Sequence, residues 1–237
     1  MKSLIFLVAL IACVGCRNPY VDYYRDISGG KNLHDPNQFE QPNGFDLKHG
    51  LNPQEDEIRF MEDGFVMVGY SSFNGGNISN IDSGAVEQAV KVGASFCVVY
   101  NPKLTGSMQG SNSVYVPGRY ASFAVTTPVQ INRYDYLVTY WMKPKMKYVL
   151  GVRYVDLSSE EKAKYQTNKG VKIMAVVKGT PAYRADLLRG DIVKRIAGVE
   201  VEDIAHAAKI LQENTGKTVP VIVRRGEELQ TFDVSLN

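Results

Sequence analysis

Ser83, Cys97, Asp82, His34, His49 and His206 are the side chains of this sequence whose types suit nucleophilic or acid–base chemistry. Such chemistry needs a nucleophile, a base within hydrogen-bond reach and a third group that orients the base. The spacing offers no such set. Ser83 stands in Asp82-Ser83-Gly84, without the glycine-rich turn that shapes an oxyanion hole. His34 and His49 fall in a stretch rich in Asn, Pro and Gly. His206 lies in a helical pattern, between Ala205 and Ala207, and reads as a surface residue. Cys97 sits in Phe96-Cys97-Val98-Val99, an apolar setting that raises a thiol's pKa and hides it. No His-Glu-x-x-His occurs, so no zinc site, other metal or cofactor is expected. The loop Gly69 to Gly76 follows a predicted strand, a place where α/β sites tend to sit.

Cys13 and Cys16 carry a different chemistry. They close an apolar run from Leu4 to Val14 that follows Lys2. The run is shorter than the ~20 residues a spanning helix needs, and it fits a secretory signal. Leu10-Ile11-Ala12-Cys13 resembles the bacterial lipobox, and Cys13-Val14-Gly15-Cys16 is a looser match. The resemblance implies that one of these thiols is lipidated and that the signal is cut before it. It also implies a lipid-anchored protein of the bacterial cell envelope, sorted to an outer membrane where the host has one.

Composition bounds the rest. The chain has 237 residues, 44% hydrophobic and 22% charged, which is ordinary globular usage. Its net charge of +2 is too small for the clustered basic footprint of a nucleic-acid binder. Three cysteines give no disulfide framework.

The patterning predicts four segments: a signal over 1–16, a polar tether over 17–52, a small α/β domain over 53–143 and a mostly-β domain with two helices over 147–237. The tether is rich in Asn, Pro, Gly and Tyr and shows no sustained period. Pro53-Gln54-Glu55-Asp56 starts a helix that Gly64 stops. Phe65 to Tyr70 and Ser95 to Tyr100 read as strands around a helix from Gly84 to Val92. That order is a βαβ unit, and it predicts two parallel strands. Val114 to Thr126 reads as a hairpin around Pro117-Gly118. Tyr134, Tyr136, Val138 and Tyr140 share one face of a following strand.

In the last segment, Val149-Leu150-Gly151-Val152 runs into a strand. Gly179-Thr180-Pro181-Ala182 is followed by Ala185, Leu187, Gly190-Asp191-Ile192-Val193 and Ile196-Ala197-Gly198. This resembles the PDZ domains of HtrA-type and site-2-type proteases. It departs from them at Asp186, where Gly is usual, and at Ala197, where Asn is usual. The resemblance implies a peptide added as an edge strand beside Gly151 to Val155, with its terminal carboxylate on the amides of Leu150, Gly151 and Val152. It also implies a groove built from Val149, Leu150, Gly151, Val152 and Tyr154 with Ala208 and Leu211 on the facing helix. Bulk at Gly151 should then block binding without unfolding the domain. The expected function is a non-catalytic, membrane-anchored adaptor for protein or peptide C-termini. The alternative is a hydrolase with a site in 53–143, regulated by the PDZ-like segment.

Overall fold

The computed structural model describes residues 17–42, 44–117 and 122–237, with the backbone alone over 112–117 and 122–128. Cys13 and Cys16 lie outside the described residues, as does the turn at Gly118. The order is α1 (Pro19–Asp22), β1 (Tyr24–Asp26), β2 (Asp46–Gly50), α2 (Pro53–Glu62), β3 (Val66–Gly75), α3 (Ile81–Val92), β4 (Phe96–Tyr100), β5 (Lys103–Pro117) and β6 (Ser122–Met142). It continues with β7 (Val152–Asp156), α4 (Ser159–Lys164), β8 (Val171–Val176), α5 (Pro181–Arg184), β9 (Ile192–Ile196), β10 (Val199–Glu200), α6 (Ile204–Glu213), β11 (Thr218–Arg225) and β12 (Glu228–Ser235). The chain is mixed α+β, with two six-stranded sheets.

The first sheet runs β1-β3-β6-β4-β2, with β5 paired to β6. Its strands alternate between two cores. Cys97, Val99, Tyr136, Val138 and Tyr140 pack with Ala85 and Ala89 of α3. Phe96, Val98, Tyr100 and Trp141 pack with Phe60 of α2. Helix α2 starts where the sequence puts it, because Asn52 caps it by accepting from Gln54 and Glu55 N–H.

The expected tether is not a tether. Tyr20 and Phe39 are buried in the α3-side core, and β1 and β2 form the two edges of the sheet. Asn18 caps α1 and donates to the Gly84 carbonyl at 2.9 Å. A low-periodicity stretch folds here because it supplies isolated aromatic plugs and edge strands, neither of which leaves a period. The βαβ unit is split as well. Strands β3 and β4 run the same way, but β6 lies between them, antiparallel to both. The directly paired parallel strands are β2 and β4. Strand β3 extends through Gly75, so the expected loop after Tyr70 is ladder.

The second sheet runs β12-β11-β9-β8-β7, with β10 beside β9. Its core joins Ile173, Leu187, Ile196, Val221 and Val234 to Ala207, Ile210 and Leu211 of α6. Asp186 and Ala197 take φ of +55° and +51°, left-handed values for which a Cβ is unfavourable. The two units touch along α2 and β8, where Lys178 N–H donates to the Glu62 carbonyl and its ammonium meets Asp63 at 2.6 Å.

Candidate functional site

The loop before β7 is held from behind. Three successive carbonyls, Val149, Leu150 and Gly151, accept from the N–H groups of Asn237, Ala182 and Val177 at 3.1, 2.9 and 2.8 Å. With its carbonyls tied to the domain, the loop turns the amides of Leu150 and Gly151 away from those partners, at two residues that are themselves buried. Neither amide donates to an acceptor among the described residues. Two adjacent unspent N–H groups are the kind of donor pair that a carboxylate can accept from.

Gly151 makes this turn possible at φ +86°, and its space is tight. A Cβ there would sit 2.2 Å from Cβ of Thr180. The Thr180 hydroxyl is fixed in turn, donating to the Val177 carbonyl at 2.6 Å. The expectation that bulk at Gly151 blocks binding alone is therefore corrected: the added atom strikes the scaffold. Gly151→Ala is expected to lower domain stability by about 1–3 kcal/mol. Urea unfolding checks this, and an unchanged midpoint would refute it.

Strand β7 supplies the second element. It ends the sheet, so one edge is paired to β8 and the other is unpaired among the described residues. Val152 faces Val176 and Tyr154 faces Ile173, with an irregularity after Arg153. Ile173 spends its own N–H and C=O on Asp191 and Gly190, both at 2.8 Å. The Val152–Val176 pair is flanked by the bond from Val177 to Gly151. Both are thus non-hydrogen-bonded pairs, and the N–H and C=O of Val152 and Tyr154 point to the open edge.

Helix α6 forms the facing element. Asp203 caps it by accepting from His206 N–H at 2.7 Å. Its buried stripe is Ala207, Ile210 and Leu211. Val149, Leu150, Val152, Tyr154 and Leu211 all lie in or against one core cluster. Ala208 does not; it is solvent-exposed, one helical step of about 100° from Ala207. Tyr154 is the least expected member. Its hydroxyl is sealed from water without a partner among the described residues, and burial pushes its pKa up. His206 is half-buried, with Nδ1 shielded and unpartnered, so its reading as a surface residue is corrected.

The groups weighed for catalysis stand apart from this loop. Ser83 donates to the Asn80 carbonyl at 3.2 Å. His49, on β2, meets Asp82 at 3.4 Å on the surface. Cys97 is fully buried, and that burial pushes its thiol up to about 12. Among the described residues, no group of three or more His, Cys, Asp or Glu is placed to hold a metal.

Residues 172–225, from β8 through β11, match the family model described as a PDZ domain. The C-terminal unit is a PDZ domain. Among solved structures, its likeness includes the HtrA3 PDZ domain bound to a phage-derived ligand (FGRWV), at 19% identity and TM-score 0.34. That match covers 38% of this chain and 86% of the other. It also includes the HtrA-type protease AlgW with decapeptide, at 15% identity and TM-score 0.34, covering 54% of this chain and 41% of that one. AlgW with tripeptide matches at 18% identity and TM-score 0.34, covering 42% and 39%. The chain thus spans about two fifths of the length of those protease structures. No curated protein matches the chain. The loop Val149-Leu150-Gly151-Val152 is a contiguous stretch of sequence. Thr180 and Asn237, which brace it, come from distant positions.

Proposed function

We propose that this protein is a non-catalytic, lipid-anchored adaptor of the bacterial cell envelope whose PDZ domain captures the free C-termini of peptides or exposed protein tails. One observation carries the reading: the amides of Leu150 and Gly151, which have no acceptor among the described residues, stand at the head of the unpaired β7 edge. A peptide laid antiparallel to β7 meets the N–H and C=O of Val152 and Tyr154 with its backbone. Its terminal carboxylate then reaches the loop amides, and its last side chain meets Val152 and Leu211. The anchor is Cys13 or Cys16, and mass spectrometry of the native N-terminus reads it directly.

Calorimetry with a peptide ending in an apolar residue tests the groove. The free acid is expected to bind at least about tenfold more tightly than the C-terminal amide, because charge-assisted bonds to the loop are lost. Affinity is expected to be modest, since an extended peptide loses its freedom on binding. Equal affinity of acid and amide would show that the loop does not read a carboxylate.

A further inference from the structure

Strands β5 and β6 outgrow their sheet. Strand β3 leaves β6 at the Gly75–Tyr134 pair, whereas β5 and β6 pair with each other to Pro117 and Ser122. From Gly106 to Pro117 this two-stranded ribbon extends roughly 40 Å, at about 3.3 Å per residue. Its two faces differ. Met108 lies directly opposite Ile131, and Gly110 opposite Val129. The three side chains are 62%, 43% and 38% exposed, although all are apolar. A Cβ on Gly110 would sit 2.9 Å from Ile131 and 3.5 Å from Val129, so both side chains lie over that glycine on one face. Along the backbone the same register continues outward with Asn112 opposite Thr127, Val114 opposite Val125 and Val116 opposite Phe123. The other face is polar: the Gln130 amide donates to the Ser107 hydroxyl at 2.7 Å, and Asn132 meets Tyr134.

Two further observations say what covers the apolar face. From Lys103 to Asp135 the sequence holds three basic residues, Lys103, Arg133 and Arg119, the last outside the described residues, against one acid, Asp135, which pairs with Lys103. That charge suits anionic lipid headgroups. The second is where the chain leaves the domain. Tyr24 pairs with Ser71 and Asp26 with Gly69, so the chain before β1 runs toward the Gly75 end of β3. There Tyr20 and Tyr23 both pack on Phe73, at 5.1 and 5.4 Å. Residues 1–16 therefore attach at the end of the sheet from which the ribbon projects. Their lipidation belongs to the proposed function; the ribbon's chemistry does not depend on it.

We propose that the apolar face of the β5–β6 ribbon lies in the interfacial plane of an anionic lipid bilayer, a second membrane contact beside the N-terminal anchor. An interfacial position leaves the open ribbon edges hydrated, which a lone spanning hairpin could not do.

The test uses residues 17–237, which contain every described element and no acylation site. Sedimentation with phosphatidylcholine vesicles containing phosphatidylglycerol is expected to pull the protein down. The double variant Met108→Asp/Ile131→Asp is expected to weaken binding at least about tenfold, given the apolar area lost. Gln109→Asp/Gln130→Asp adds the same charge to the polar face and is expected to stay within about threefold. All four positions lie on the exposed ribbon, and circular dichroism verifies folding. Equal loss in both variants, or no binding by the parent, overturns the proposal. So does release of entrapped dye, which would put the ribbon across the bilayer. A concentration-dependent dimer that only Met108→Asp/Ile131→Asp dissolves, without vesicle binding, would assign the face to a second copy instead. Because this chain carries no lipid, its result is separable from the acylation of Cys13 or Cys16.

Discussion

Arg225→Ala is expected to cost the PDZ domain about 3–5 kcal/mol, the loss typical of removing one partner from a buried ion pair. Arg225 donates through Nε and Nη2 to the two oxygens of Asp191, each at 2.8 Å. Asp191 also accepts from Leu188 N–H at 2.9 Å. The Asp191 side chain is 2% exposed and that of Arg225 is 29%. The asymmetry decides which variant hurts more. Without Arg225, a carboxylate stays in the interior with a single amide partner. Without Asp191, the guanidinium turns toward water, and the main loss is the Leu188 bond. Arg225 also donates to the Asp186 carbonyl at 2.8 Å, so it steadies the residue held at φ +55°. Hydrogen exchange at the amides of β8 and β11 measures the effect locally. A loss below about 1 kcal/mol would mean that water reaches Asp191 easily and the pair is not a keystone of the domain.

Tyr20→Ala is expected to destabilise the first domain by about 3–5 kcal/mol, the range for truncating a buried aromatic. Tyr20 is 1% exposed and meets Phe73 edge to face at 5.1 Å. Its ring also fills the space at Gly84, where a Cβ would lie 2.9 Å away. Tyr20→Phe separates ring from hydroxyl. The Tyr20 hydroxyl is buried without a partner among the described residues, so removing it is expected to be neutral or slightly stabilising. Urea unfolding followed by Trp141 fluorescence reads both variants. A near-zero effect of Tyr20→Ala would return residues 17–52 to the role of a tether. A large loss means that a lipid on Cys16 would hold the folded domain directly against the membrane.

Much of the architecture was readable from consecutive residues. Helix α2 announces itself by Asn52, Pro53 and two acids, and α3 by the run that Gly93 ends at φ +76°. The alternation of Tyr134 to Tyr140 marks one face of β6, and that face is the α3-side core. Val149-Leu150-Gly151-Val152 could be singled out because the whole loop is one short stretch. Periods, caps and turns are properties of neighbours in the chain, so the sequence alone settles them. Partners at long range were decided only by the tertiary structure. The insertion of β6 between β3 and β4, and the pairing of β2 with β4, leave no trace in either strand's own pattern. Phe39 looked like a linker residue because a single plug in a distant core has no period. The open amides of Leu150 and Gly151 depend on Ala182, Val177 and Asn237 behind them. Which way a peptide group faces is settled by what binds its carbonyl, and that partner comes from elsewhere in the fold.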